Sequence, residues 1–258
     1  DETGIEGPMV CDEKFSWGCF HQYVGNVLVA RGLSAVHILF QTCALSQPRS
    51  VVGCSHGIGH GILAYLGYSE TSLKQALEVC EKNGDSVESF EGCMDGAFME
   101  YNVRELADPT VGDSTTHWRP FSYESRFNPC QRLKNSYQSA CYFQLPTWWF
   151  SATGWPANDG SIESDFKRFG SYCRELETSG VDTRKKCFEG IGYVATLQNS
   201  TESILKFCTA ASEQEADRVL CLAEASRRLG FEKQSKGISA CSQYNLPAKS
   251  VAYCEAFV

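Results

Sequence analysis

The chain has 258 residues, enough for a substantial core or a row of stacked repeats, and its 23 basic against 31 acidic residues give a formal charge of −8. An acidic surface repels nucleic-acid phosphates and anionic lipids, so neither is an expected partner. The most apolar stretch, Ile58 to Leu66, is broken by Gly59, His60 and Gly61. No uninterrupted run approaches the ~20 residues that cross a bilayer, so no membrane span is expected.

Fourteen cysteines in 258 residues exceed ordinary usage, and their number is even. No C-x-x-C occurs, which removes the spacing of zinc ribbons, thioredoxin-like redox sites and haem attachment. Disulfides in an oxidising compartment explain the count, so an extracellular or periplasmic location is expected. The first residue is Asp1 rather than Met, as expected if a signal segment has been removed. Asn199-Ser200-Thr201 fits the glycosylation sequon, but one sequon does not separate periplasm from secretory pathway.

In chain order the cysteines fall into pairs: Cys11/Cys19, Cys43/Cys54, Cys80/Cys93, Cys130/Cys141, Cys173/Cys187, Cys208/Cys221 and Cys241/Cys254. After the first pair, eight residues apart, the separations run from 11 to 14 residues. In each unit a first helix ends near its cysteine, as in Ser72 to Cys80 or Ser203 to Cys208. A polar loop follows, such as Glu81 to Ser89, and a second helix opens on the second cysteine. Second cysteines recur every 33 to 48 residues, the size of an αα-hairpin repeat. Apolar spacing is helical throughout, with no period-two strand pattern. The predicted fold is therefore all-α: about six disulfide-stapled αα-hairpin repeats in one domain, 1–258, stacked as a short solenoid. Repeats open near Cys19, Cys54, Cys93, Cys141, Cys187 and Cys221. Two Pro- and Gly-bearing insertions, about 108–128 and 151–164, are predicted loops.

Aligned on the opening cysteine, the repeats read Cys19-Phe20-His21, Cys54-Ser55-His56-Gly57, Cys93-Met94-Asp95-Gly96 and Cys187-Phe188-Glu189-Gly190; Phe143 and Ala223 depart from the pattern. At ~100° per residue, Ile58 and Ile62, Ala97 and Tyr101, and Ile191 and Ala195 share the cysteine face. The opposite face carries His21, His56, His60, Asp95, Met99, Glu189 and Tyr193, which would line one surface if second helices stack in parallel. His56 and His60, at i and i+4, can present two imidazoles to one ion, with Asp95 completing the set and His21 as a further ligand. Zinc, copper, iron and manganese all fit such donors, and Met99 would tilt the choice to copper. His117, in the first insertion, together with Glu189 and Tyr193, is a candidate for acid–base chemistry. No organic cofactor is expected.

The glycines at 57, 59 and 61 each weaken a helix by about 1 kcal/mol relative to Ala, which implies close approach of a neighbouring helix or ligand. Gly53-Cys54-Ser55-His56-Gly57 matches the G-x-S-x-G elbow of α/β-hydrolases, but that mechanism needs a parallel sheet that this chain lacks. Aromatic residues, Trp148, Trp149, Phe150, Trp118 and Phe121 among them, crowd the two insertions. They either pin the loops to the scaffold or form a binding patch. Two functions are therefore expected in parallel. One is a secreted metal-binding protein, with or without catalysis. The other is a non-catalytic module that engages a protein partner, a small ligand or a second copy through the repeat surface and the aromatic insertions.

Overall fold

The computed structural model describes residues 18–46, 51–106, 119–153, 161–176, 182–197, 201–233, 247–248 and 251–252. Ten helices are seen among them: α1 (Gly18–Arg31), α2 (Val36–Ser46), α3 (Val51–Leu66), α4 (Glu70–Asn83), α5 (Val87–Val103), α6 (Asn135–Ala152), α7 (Ser161–Glu175), α8 (Thr183–Thr196), α9 (Thr201–Ala211) and α10 (Glu215–Lys233). The described residues contain no strand, so the all-α expectation holds for them. The chain forms two compact units, Asp1–Pro120 and Phe121–Val258.

Five of the expected disulfides are present: Cys43–Cys54, Cys80–Cys93, Cys130–Cys141, Cys173–Cys187 and Cys208–Cys221. Each closes a loop of 11 to 14 residues, a constraint worth roughly 3 kcal/mol in the chain-entropy picture. They favour an oxidising extracellular compartment. The pairs Cys11/Cys19 and Cys241/Cys254 lie outside the described residues. The second cysteine does not open its helix: Cys93 lies six residues inside α5, because Ser86 caps that helix by accepting the Ser89 N–H at 3.1 Å. The expected loop Glu81 to Ser89 accordingly shrinks to Gly84–Ser86, with α4 running on to Asn83. Likewise α6 continues through Pro146 to Ala152, where the second insertion was expected to begin at 151.

First and second helices are built differently. The first helix α4 is amphipathic, capped by Ser69 and burying one stripe, Leu73, Ala76, Leu77 and Cys80. The second helix α3 lies between α1 and α5 and has buried residues on all sides, Cys54, Ser55, Gly57 through Leu63. The face opposite the cysteine is thus not the lined surface expected from helical phase. His60 on that face is 0% exposed. On the cysteine face Tyr65 is exposed.

Glycine makes this packing achievable. A β-carbon on Gly59 would sit 2.0 Å from the Cys93 carbonyl oxygen, and one on Gly96 1.9 Å from that of His56. On the other side of α3, a β-carbon on Gly61 would meet Val24 at 2.6 Å. The second unit repeats this register. Gly192 faces the Cys221 carbonyl as Gly59 faces Cys93, and Gly190 faces the Phe143 carbonyl as Gly96 faces His56. Counted from the opening cysteine, the fifth residue meets the next helix's cysteine, and the third meets the second residue of the helix before.

Among the described residues one helical stretch, His21–Leu45, is long and apolar enough to cross a bilayer by length and composition alone, as the core helix of a soluble protein also can be. Scattered polar residues such as Gln22, Asn26 and Arg31 interrupt its apolar run without lowering the average much. Within the first unit the stretch bends through a 3-10 turn, Gly32–Ala35, and packs Val24, Val27 and Leu28 inside.

In the second unit the aromatic cluster is interior. Trp148 and Trp149 are 0% exposed, and the Trp149 indole N–H donates to the Arg126 carbonyl at 2.8 Å. Phe121 packs edge-on to Trp148, and the Arg126 guanidinium lies 3.9 Å over the Tyr123 ring. These contacts pin the segment before Cys130 to α6. Trp118 and Trp155 lie outside the described residues.

Gly96→Ala is expected to destabilise the protein by about 2–3 kcal/mol, since the clash is with backbone and forces two helices apart. Gly25→Ala, whose β-carbon meets nothing closer than 4.0 Å, is expected to be neutral or stabilising by up to about 1 kcal/mol. Thermal denaturation of both variants checks the pair, and equal melting temperatures would contradict the packing argument.

Candidate metal centre

Where α1 crosses α3, three imidazoles meet. His56 and His60 project from successive turns of α3, and His21 enters from α1; one ring nitrogen from each lies within 4.8 Å of the others. The His60 ring stacks on His21 at 4.4 Å between centroids, and Nε2 of His60 lies 2.9 Å from Nε2 of His56. His60 is fully buried and His21 is 6% exposed. At the rim, the His56 side chain is 18% exposed.

Every one of these rings has a carboxylate at its Nδ1. Asp95 Oδ2 lies 3.0 Å from His56 Nδ1, Glu100 Oε2 2.8 Å from His60 Nδ1, and Glu105 Oε1 3.5 Å from His21 Nδ1. Asp95 and Glu100 come from α5, one turn and a half apart, and Glu105 from the turn just after it. A carboxylate at Nδ1 fixes the tautomer with its proton there, orients the ring and raises the basicity of Nε2. This leaves Nε2 of His56 and of His60 as their metal-facing atoms.

Glu100 organises the interior. Its side chain is 0% exposed, and it accepts from the Tyr68 hydroxyl at 2.6 Å and the Leu106 N–H at 3.0 Å as well as facing His60. Burial pushes its carboxyl up to about 7, against the pull of the Tyr68 and Leu106 hydrogen bonds. Burial also moves His60 well below its ordinary value, reinforced by His56 and His21, so the ring is neutral near pH 7. Burial, and then Glu100, push the Tyr68 hydroxyl upward, keeping it a donor. The contact with His21 holds the Glu105 carboxyl below the usual carboxylate range.

The donor set suits an ion. Both ring nitrogens of His21 are buried without a hydrogen bond of normal geometry, although Glu105 approaches one of them. An unmet polar atom such as Nε2 in a nearly water-free place costs about 1–3 kcal/mol. Coordination at ~2.0–2.1 Å places tetrahedral nitrogen donors about 3.3 Å apart. The 2.9 Å pair need open by only a few tenths of an ångström, and a pair at the 4.8 Å limit would close by about 1.5 Å. Ring rotations deliver shifts of this size.

Of the residues singled out from the sequence, His21, His56 and His60 come together, and Asp95 touches the far nitrogen of His56. Met99 is half-buried on α5. Glu189 and Tyr193 belong to the second unit, where Glu189 pairs with Lys186 at 2.7 Å and Tyr193 lies against Phe143 with Arg228 over its ring. By count from the opening cysteine, Phe143, Glu189, Tyr193 and Arg228 hold the places of His21, His56, His60 and Glu100. The second unit thus repeats the register of the first with different chemistry. His117 lies outside the described residues. Sequence reasoning missed Glu100, Glu105 and Tyr68. Glu100 had a signal, since an acid on the otherwise apolar cysteine face must find a buried partner.

No family model matches the chain, and neither the curated proteins nor the solved structures contain a match.

Glu100→Ala is expected to destabilise the fold by about 3–5 kcal/mol, leaving the His60, Tyr68 and Leu106 groups without their shared acceptor. Glu100→Gln, which keeps an acceptor oxygen, should lose distinctly less. Urea denaturation of the two variants measures the difference, and equal losses would mean that Glu100 acts by volume alone.

Proposed function

We propose that this is an extracellular metal-binding protein that holds one divalent transition-metal ion between α1 and α3 through Nε2 of His21, His56 and His60. The observation that carries this reading is the pairing of every imidazole with its own carboxylate, around a buried point where Nε2 of His21 has no hydrogen-bond partner. Three nitrogen donors leave a coordination position for water or a small ligand, as in zinc sites that activate water. An all-imidazole set suits zinc or copper(II) better than manganese, which prefers oxygen. Asp95, Glu100 and Glu105 supply orientation and compensating negative charge rather than ligand atoms. The shared glycine register of α3/α5, α6/α8 and α8/α10 supports reading the chain as stacked hairpin repeats, with the metal centre built into only one of the stacks.

Protein purified without a histidine tag and dialysed against zinc is expected to retain about one equivalent by elemental analysis. His21→Ala, His56→Ala and His60→Ala should each lose it, whereas Asp95→Asn should keep the stoichiometry and weaken affinity by about 10–100-fold. Sub-stoichiometric metal in the wild type overturns the proposal, and loss of stoichiometry in Asp95→Asn would make Asp95 a ligand.

A further inference from the structure

We propose that the turn Arg104-Glu105-Leu106 is a latch over the metal centre, and that its opening sets how fast the ion enters and leaves. This rests on the metal-binding function proposed above. Three consecutive residues grip three separate parts of the site. Arg104 places its guanidinium 5.2 Å over the ring of Tyr68, the residue that donates to Glu100. Glu105 reaches His21 on α1. Leu106 donates its N–H to Glu100 and lays its side chain beside Gly25, one helical turn beyond His21, with Cδ1 4.0 Å from where a β-carbon would stand.

The turn is held under tension. Arg104 has φ 57° and ψ 49°, a left-handed conformation that residues with a β-carbon disfavour, while its N–H still closes α5 on the Glu100 carbonyl at 2.8 Å. Contacts made by side chains therefore keep closed a turn whose backbone would relax on opening. Among the described residues the rest of the centre has no comparable moving part. His60 and Glu100 are fully buried, and the rim at His56 and Asp95 is formed by α3 and α5, whose backbones touch at Gly96 and Gly59. Opening that rim requires separating two helices, whereas among the described residues opening the turn breaks the Leu106 hydrogen bonds and its packing on Gly25, one ion pair and a cation–π contact. Local openings of this kind are drawn from the least stable parts of a fold.

The test measures metal exchange on the whole chain, with cobalt(II) as the probe for uptake and a chelator to drive release. Leu106→Ala and Arg104→Ala are expected to raise both rates by roughly tenfold while the Kd stays within about threefold, because a gate alters the barrier and not the ligands. Leu106→Met, which keeps the grip on Gly25, should exchange like the wild type. Melting curves confirm that each variant is folded. Unchanged rates in folded Leu106→Ala and Arg104→Ala overturn the latch, as does a Kd that rises in step with release at constant uptake. A wild-type chain that takes up no cobalt or zinc overturns the latch together with the metal site.

Discussion

Backbone touching backbone between second helices is the contact on which the first unit depends. Gly59 and Gly96 are placed so that each faces a carbonyl of the other helix, at distances no β-carbon tolerates. Both α3 and α5 then lose helix propensity, by about 1 kcal/mol per glycine, and recover it through dense packing. Gly61 does the same toward α1. With α3 clasped on two sides, histidines that would have faced water become interior groups, and every polar atom on them needs a partner.

The cluster meets that need in a graded way. Three carboxylates take the Nδ1 positions, and Glu100 gathers Tyr68, His60 and the Leu106 N–H at a single buried point. What is left over is the inward Nε2 side, where Nε2 of His56 and of His60 face each other at 2.9 Å. A cation there would be a partner that all three rings can share. The same helix register in the second unit holds Phe143, Glu189, Tyr193 and Arg228, where a tilted ring pair and a cation–π contact stand in the places of the imidazoles. Scaffold and chemistry are therefore separable: glycines and disulfides set the helix spacing, and four side chains decide what fills it.

Several elements were legible from spacing alone. Cysteine separations identified the five staples seen among the described residues, and the i, i+4 histidines and the recurring acid at the second position after the cysteine marked the right helices. Helical phase failed where it assumed that one face of a second helix meets solvent. That assumption suits α4, with its single buried stripe, but not α3, which has neighbours on both sides. It also hid Glu100. Seven residues past Cys93, it falls about 20° from the cysteine, on the face that helical phase assigns to the core. Glu105 carries no periodic signal, because it reaches His21 only through the left-handed turn at Arg104.

The sequence by itself determined the helical class, the cysteine pairing and the three histidines, because all of these are written in local spacing: 3.6 residues per turn, loop lengths and i, i+4 neighbours. Only the tertiary structure decided that His21 joins His56 and His60, and that Asp95 orients a ring from behind. It alone put Glu100 and Glu105 in the centre. Those relations join α1, α3 and α5 across 35 to 84 residues of chain. They depend on how closely helices approach and how each is rotated, which glycine-to-carbonyl contacts fix and no single helix encodes.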